Sequence, residues 1–276
     1  MNEVTAPADT CAALRLRQRV ARAFARQASH YDAHAGLQRA VADALLTLLP
    51  ALTAAHRVLD LGCGTGYLAR AVQGRAAAEI FALDLALPML QQTAGQPAEH
   101  PPPGLVCADA EALPLATACC DLVVSSLAMQ WCPRPQRLLA ELARVLRPGG
   151  NALLTTLGPA TLQELRSAWQ RSGGPERHNR FESVERLREL AGQAGLEGTV
   201  SSRLLQRYYA DWQALMAELR GLGATTRTES GPVGLARRDR LRAVASAFDT
   251  QRGPQGVEGA EDSTCSRRPD NAITTS

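Results

Sequence analysis

The chain has 276 residues, of which 45% are hydrophobic and 21% charged, with a formal net charge of +3. This apolar share supports a sizeable core and excludes a wholly disordered chain, and no apolar run approaches the ~18–20 residues that cross a bilayer. All 30 basic residues are arginine, which excludes a catalytic or Schiff-base lysine and a Gly-Lys phosphate loop.

Cysteine and aromatic content narrows the class of protein further. The seven cysteines include no Cys-x-x-Cys pair, which argues against a disulfide framework or a zinc knuckle. Aromatic residues make up only 4% of the chain, too few for a base-stacking surface. The first thirty residues carry five arginines and no long apolar block, so we expect no secretory signal. We therefore expect a cytoplasmic protein with reduced thiols, no metal site, no nucleic acid partner and no membrane partner.

Hydrophobic spacing predicts two helices followed by alternating strands and helices. Residues 11–29 and 37–49 have helical spacing. Short apolar strands are then predicted at 57–61, 79–84, 105–109, 121–126 and 152–156, with helices at 67–72, 88–92 and 138–146 between them. Helices at 160–171, 183–194 and 210–220 and a strand at 198–208 follow. This alternation predicts an α/β fold with a doubly wound parallel sheet and helices on both faces.

A glycine-rich turn follows the first predicted strand. Residues 62–66 read Gly-Cys-Gly-Thr-Gly, which permits a tight turn and lets a ligand lie against bare backbone. The dinucleotide fingerprint has its third glycine one position later. The spacing found here instead matches the loop of S-adenosylmethionine-dependent methyltransferases, which cradles an amino-acid tail. Asp60, just before the turn, suits the ammonium group of that tail and would repel a pyrophosphate.

Acidic residues also end the next two predicted strands. Asp84 is placed to accept both ribose hydroxyls, and Asp109 to accept from the adenine amino group beside the Ala110 N–H. Each acid by itself also fits a helix cap, but three acids in this order with the glycine turn favour a cofactor. The predicted cofactor-binding residues are Asp60, Gly62, Cys63, Gly64, Gly66, Asp84, Leu85, Met89, Asp109, Ala110 and Ser126.

Longer segments carry a more specific resemblance. Residues 19–160, with Leu-Arg-Pro-Gly-Gly at 146–150, resemble class I methyltransferases with a Rossmann-like core. Within that superfamily the chain resembles the malonyl-[acyl-carrier-protein] O-methyltransferases of biotin synthesis. The segments that carry this resemblance are Phe-Ala-Arg-Gln-Ala-Ser-His-Tyr at 24–31, Gln-Trp-Cys at 130–132, Asn-Arg-Phe at 179–181 and Arg-Gly-Leu-Gly-Ala-Thr at 220–225.

The resemblance implies methylation of the free carboxylate of a malonyl thioester at the start of pimeloyl synthesis. Such a carboxylate is already ionised near pH 7, so alignment and partial desolvation suffice without a strong base. The predicted substrate-holding residues are Tyr31, Gln130, His178 and Arg180. Arg180 is the best donor because guanidinium binds carboxylate bidentately, although it also fits a solvated arginine. Trp131 fits the core as well as a substrate contact.

The implied partner is malonyl-acyl carrier protein, an acidic domain, or the small thioester malonyl-CoA. Residues 201–242 hold eight arginines against four acids, an excess that can steer an acidic partner or form an ordinary charged face. Two alternatives stay open: a different small-molecule methyltransferase, such as a quinone-precursor C-methyltransferase, and a degenerate protein that only binds the cofactor.

The predicted organisation has four parts. Residues 1–50 form an N-terminal helical lid, 51–160 the cofactor-binding core, and 161–256 the substrate- and partner-facing helices with the remaining sheet. The resemblance stops near residue 256, where the family continues with an apolar strand that closes the sheet. We expect 257–276 to be a disordered tail, the final strand to be missing, and a frameshift to explain the change.

Overall fold

The computed structural model describes residues 7–75, 78–96, 102–173, 179, 181–225, 238–250, 252–253, 256–266 and 273–275. Its α-helices are α1 (Pro7–Gln27), α2 (Tyr31–His34), α3 (Gly36–Leu46), α4 (Tyr67–Gln73), α5 (Leu87–Ala94), α6 (Pro135–Val145), α7 (Gln163–Arg171), α8 (Val184–Gln193), α9 (Trp212–Gly221) and α10 (Arg238–Asp249). A 3-10 helix spans Met129–Trp131. In these ranges no helix is both long and apolar enough to cross a membrane.

The strands form one sheet within the described residues. They are β1 (Arg57–Leu61), β2 (Glu79–Asp84), β3 (Gly104–Cys107), β4 (Cys120–Ser126), β5 (Leu146–Leu157), β6 (Leu196–Glu197), β7 (Val200–Tyr209), β8 (Arg252–Gly253), β9 (Gly256–Ser266) and β10 (Ile273–Thr275). Strands β3, β2, β1, β4 and β5 lie side by side in that order and are parallel. The predicted doubly wound α/β fold is confirmed.

The parallel strands are apolar along their length because helices cover both faces of the sheet. Alternate residues of β1 enter opposite cores. Leu59 and Leu61 pack with buried leucines of α6 and α8, whereas Val58 packs with leucines of α3 and α4. Two buried layers therefore hold the carboxyl ends of β1, β2 and β4 in fixed positions, and ligands of doubly wound sheets bind at that edge.

The C-terminal segment corrects two predictions. Residues 256–266 form β9, which pairs antiparallel with all of β7 and with Thr155–Leu157 of β5. Strand β10 lies between β5 and β6. We predicted that the closing strand is missing, but β9 and β10 occupy its place beside β5. We also predicted a disordered tail, but much of it is extended and paired. Strand pairing uses backbone N–H and C=O groups that every extended residue offers, so absence of apolar periodicity does not prevent it.

Candidate functional site

The glycine turn between β1 and α4 is held against the end of β2. The Gly62 N–H and Cys63 N–H both donate to the Leu83 carbonyl, at 2.7 and 3.0 Å. Gly62 and Gly64 have φ values of +73° and +55°, in the left-handed region that favours glycine. A Cβ on Gly62 would overlap Ala128, whereas a Cβ on Gly64 would enter open space. Gly64 therefore leaves a backbone cradle that a ligand can fill.

Asp60 ends β1 beneath this turn and is 1% exposed. Within the part of the chain that the structure describes, its Oδ2 atom has no hydrogen-bond partner. Burial, with a smaller contribution from the charge of Asp84, raises the pKa of Asp60 from 3.8 to about 7, although the Ala69 N–H and Arg70 both lower it. A buried carboxylate oxygen without a donor is suited to a cationic ligand, which would ionise it.

Asp84 is the last residue of β2, and Asp109 follows the end of β3. Asp84 accepts the Gly64 N–H at 2.9 Å and the Ala86 N–H at 2.8 Å, and burial raises its pKa. Asp109 accepts the Glu111 N–H at 2.9 Å, and its other oxygen lies 2.8 Å from Nε of Arg17. The predicted adenine acceptor is therefore already paired with a cation from α1.

Arg17 also reaches the buried carboxylate of Glu111, which pairs with Arg134 at 2.9 Å. The Glu111 side chain is 1% exposed, so both arginines compensate a charge held away from water. This cluster fixes α1 across the end of β3. Arg17 was not among the predicted site residues, because its spacing does not distinguish it from the other four arginines of α1.

A cleft of about 770 Å³ opens at this edge of the sheet, and we call it the central cleft. Most of the predicted cofactor residues line it together: Gly62, Gly64, Asp84, Leu85, Met89, Asp109, Ala110 and Ser126. Asp60 and Cys63 line an adjoining space of about 470 Å³, the turn cavity, which shares Gly62, Gly64 and Ser126 with the central cleft. Gly66 instead faces Thr93 and Arg70 at the start of α4.

Aromatic side chains form the opposite wall of the central cleft. The ring of Phe24 lies 6.3 Å from that of Tyr31 and 5.3 Å from that of Trp131, measured between centroids. Trp131 thus packs on α1 and also lines the cleft. Burial, followed by the charges of Asp84 and Asp32, raises the pKa of the Tyr31 hydroxyl. Tyr31 therefore stays protonated at neutral pH and can donate a hydrogen bond.

Gln130 lies on the far side of this wall, in a space of about 670 Å³ that we call the outer cavity. Its amide donates to the Leu127 carbonyl at 2.7 Å and accepts from the Thr156 hydroxyl at 3.2 Å. Cys132 lines both the outer cavity and the central cleft, and burial raises its pKa. The predicted His178 and Arg180 lie outside the described residues, although Phe181 lines the outer cavity.

The turn cavity holds further polar side chains that sequence reasoning missed. The Thr65 hydroxyl donates to Asp32 at 2.7 Å, and Arg39 donates to the Asp32 carbonyl at 2.6 Å. Gln38 also lines this cavity. A signal for Gln38 exists in the sequence, because it precedes the buried Ala42 and Leu45 by four and seven residues on one helix face.

These features fit S-adenosylmethionine, whose amino-acid end carries a cation and whose adenosine end offers hydroxyl and amino donors. Asp60 would hold the ammonium group, Asp84 the ribose and Asp109 the adenine, with the Gly64 backbone against the chain between them. Two carboxylates in the central cleft and a third in the adjoining turn cavity suit these donors and do not suit a diphosphate.

Comparisons with known proteins agree with this fit. A family model described as a methyltransferase domain matches residues 59–154. The YcgJ protein from Bacillus subtilis has a TM-score of 0.61 at 17% sequence identity, with 86% of this chain and 99% of that chain covered. Phosphoethanolamine N-methyltransferase 2 of Haemonchus contortus, in complex with S-adenosyl-L-methionine, has a TM-score of 0.53 at 15% identity, covering 90% and 57%. These likenesses confirm the fold.

Two curated relatives are much more similar in sequence. The biotin biosynthesis bifunctional protein BioHC of Cellvibrio japonicus is 42% identical over 87% of this chain, which spans about half (48%) of that protein. A malonyl-[acyl-carrier protein] O-methyltransferase of Enterobacter lignolyticus is 42% identical over 86% of this chain and 92% of that protein. The predictions of a methyltransferase and of S-adenosylmethionine as its cofactor are confirmed. The chain belongs to the malonyl-[acyl-carrier protein] O-methyltransferase family.

Proposed function

We propose that this protein transfers a methyl group from S-adenosylmethionine to the free carboxylate of malonyl-acyl carrier protein, at the start of pimeloyl and biotin synthesis. The names of its relatives support this substrate. One observation in the structure carries the chemistry. Tyr31 and Cys132 line the wall of the central cleft. Both side chains are protonated at neutral pH, and burial raises their pKa values further, so neither acts as a base there.

Protonated side chains on this wall suit an acceptor that needs no base. A malonyl carboxylate is ionised near pH 7 and brings its own nucleophilic oxygen. Tyr31 can donate to that carboxylate, and so can the Gln130 amide once it exchanges its bond to Leu127. A carbon acceptor, by contrast, requires a group that removes a proton.

The cofactor, when bound, supplies an electrophilic sulfonium methyl group whose transfer cancels the charges of the sulfonium and the carboxylate. The residues of the chain orient the two reactants and exclude water from them, and they transfer no proton. Asp84 and Asp109 fix the cofactor in the central cleft, and Asp60 fixes its amino-acid end in the turn cavity. Phe24 and Trp131 exclude water from its aromatic wall, which strengthens the attraction between the reacting charges.

The predicted carboxylate donors His178 and Arg180 remain part of the proposal. Asn179 and Phe181 flank Arg180 in the chain, and Phe181 lines the outer cavity. The family resemblance implies that Arg180 binds the malonyl carboxylate, which a guanidinium does bidentately. We therefore expect Arg180→Gln to raise KM for the thioester while leaving S-adenosylhomocysteine affinity unchanged.

Mass spectrometry of the carrier protein tests the function directly. Malonyl-acyl carrier protein incubated with S-adenosylmethionine should gain the mass of one CH₂ unit, and fragmentation of the acyl arm in the mass spectrometer should release methanol, as expected for a methyl ester. Acetyl-acyl carrier protein, which lacks the free carboxylate, is the matched control and should gain nothing. A gain on the acetyl form would indicate carbon methylation, and no gain on either would leave a protein that only binds cofactor.

We also propose that the acidic carrier docks on the arginine-rich segment 201–242. Arg203 and Arg220 are exposed there, so they can attract an acidic domain from solution. Charge reversal of both to Glu should lower kcat/KM for malonyl-acyl carrier protein at least ~10-fold and leave malonyl-CoA unaffected. The same reversal at Arg57 and Arg186, which lie on β1 and α8, is the control. An equal loss on both thioesters would contradict docking at this segment.

A further inference from the structure

The turn cavity contains two buried acceptor atoms that lack donors. Gln38 and Asp60 both line it. Among the described residues, neither Oε1 of Gln38 nor Oδ2 of Asp60 has a hydrogen-bond partner. Leaving a buried acceptor unsatisfied is unfavourable, so native structures rarely keep one without a ligand or water to bind it. Two such oxygens in one cavity indicate a ligand that brings several N–H donors.

The position of Gln38 follows from the packing of α3. Ala42 and Leu45, four and seven residues further along the helix, are 3% and 0% exposed. Residues at this spacing share a helix face, so Gln38 lies at the end of a buried stripe. Its neighbour Arg39 also lines the turn cavity, but it is engaged there with the Asp32 carbonyl at 2.6 Å and lies over the Tyr67 ring at 6.0 Å.

Two other acceptors that line this cavity, Asp32 and the Thr65 carbonyl, are already engaged. Asp32 accepts the Thr65 hydroxyl at 2.7 Å, and the Thr65 carbonyl accepts Arg70 at 2.7 Å. Gln38 and Asp60 therefore remain for an incoming donor. One is a neutral amide oxygen and the other a carboxylate oxygen. The second carboxylate of the cavity, Asp32, lies 3.8 Å from Arg39, so the two unpartnered oxygens offer two acceptors and one uncompensated negative charge. That combination suits an ammonium group, which has three donors and one positive charge.

We propose that Gln38 is a second acceptor for the ammonium group of the cofactor's amino-acid moiety, beside Asp60. The turn cavity and the central cleft share Gly62, Gly64 and Ser126, so a ligand with its adenosine near Asp84 and Asp109 extends into it. Gln38 thereby positions the sulfonium group through the amino-acid end of the cofactor. The proposal rests on the cofactor alone and does not depend on the identity of the methyl acceptor.

Comparing the binding of two ligands distinguishes direct contact of Gln38 with the ammonium group from a purely structural role. S-Adenosylhomocysteine carries the amino-acid moiety, whereas 5′-methylthioadenosine has the same adenosine and thioether without it. Gln38→Met keeps the length of the side chain and removes the amide oxygen. Titration calorimetry should show at least ~10-fold weaker binding of S-adenosylhomocysteine, with 5′-methylthioadenosine changed by less than about twofold.

Gln38→Glu keeps an acceptor oxygen and removes the amide donor. We expect it to bind S-adenosylhomocysteine as tightly as the wild-type protein or more tightly, because it adds a charge opposite to that of the ammonium group. A loss as large as that of Gln38→Met would instead mean that Gln38 donates to the cofactor's carboxylate, and would overturn the proposal.

Other outcomes are equally decisive. An equal loss for both ligands in Gln38→Met would assign Gln38 to the fold of the cleft, and unchanged S-adenosylhomocysteine binding would remove it from the site. Failure of the wild-type protein to bind S-adenosylhomocysteine would overturn the cofactor assignment itself. Failure of malonyl methylation with intact binding would affect only the proposed function.

Discussion

The two walls of the central cleft are built in different ways. The turn wall, from β1, β2 and the glycine turn, is joined by bonds between neighbouring strands, such as Gly64 to Asp84 twenty residues away. The lid wall, from α1, α2 and the 3-10 helix, depends on contacts such as Arg17 to Glu111, ninety-four residues apart. The turn wall is therefore fixed by the sheet, whereas the lid wall depends on helices that reach it from distant parts of the chain.

This difference has a functional consequence. The turn wall can be complete before any ligand binds, because buried strands and backbone bonds hold it. The lid wall uses side-chain ion pairs and aromatic contacts, and a cofactor bound to Asp109, as we propose, would share that carboxylate with Arg17. We expect substitutions in the turn wall to affect folding and cofactor affinity, and substitutions in the lid wall to affect turnover more than affinity.

The largest effect is expected from Gly62→Ala. The new Cβ would overlap Ala128 and would hold a left-handed φ, which together should lower the free energy of unfolding by about 3 kcal/mol. Gly64→Ala is the matched control. Its Cβ meets nothing, so the loss should be about 1 kcal/mol, but S-adenosylhomocysteine affinity should fall because the methyl group enters the cleft. Urea unfolding and calorimetry measure both quantities, and equal destabilisation would contradict the distinction.

Asp60→Asn tests whether the buried carboxylate of Asp60 lowers the free energy of unfolding while it increases cofactor affinity. The folded protein holds a proton on Asp60 up to about pH 7, whereas the unfolded chain releases it near 3.8, so ionisation of Asp60 destabilises the fold as pH rises through this window. The variant lacks this charge. Its stability relative to the wild-type protein should increase by about 4 kcal/mol between pH 4 and pH 8.

Cofactor affinity should change in the opposite direction to stability. Asp60→Asn should lose most of its S-adenosylhomocysteine affinity, because the ammonium group loses its counter-charge. In the wild-type protein that affinity should fall with decreasing pH below about 7, as the ligand must displace the proton from Asp60. A stability difference independent of pH, or retained affinity in the variant, would show that Asp60 is not the buried charge that we describe.

The two walls also differ in how well the sequence predicts them. The turn wall was predicted because strand, glycine turn and acid are local patterns, and Asp60, Gly64 and Asp84 lie where their spacing indicates. Arg17 was missed because its partners are chosen by the packing of α1, which local spacing does not encode. Strand β9 was missed because its pairing with β7 uses backbone groups common to all residues.

The Gly-Leu-Gly segment at 221–223 shows the same limit. The sequence marked it only as a family resemblance, without a physical role. In the structure Gly221 ends α9 where a Cβ would overlap the imidazole of His34 on α2, and Gly223 lies close to Ala23 of α1. These glycines allow α9 to approach the lid helices that carry Tyr31. The role of these glycines therefore depends on contacts between residues almost two hundred positions apart in the chain.

Gly221→Ala tests the packing of α9 against the lid wall and is expected to have the smallest effect. Alanine is the better helix former by up to about 1 kcal/mol, but its overlap with His34 should reverse that gain and cost about 2 kcal/mol overall. Displacement of α2 also moves Tyr31, so kcat should fall while S-adenosylhomocysteine affinity, set by the turn wall, stays within about twofold.

The double variant His34→Ala with Gly221→Ala separates the contact from helix propensity. Removing the imidazole opens the space that the new methyl group needs, so Gly221→Ala should be neutral or slightly stabilising in the His34→Ala background. A coupling free energy of about 2 kcal/mol in this cycle would locate the role of the glycine in the α2–α9 contact. Additive losses would mean that Gly221 acts through the backbone of α9 alone, and that the lid wall tolerates a looser approach than the structure shows.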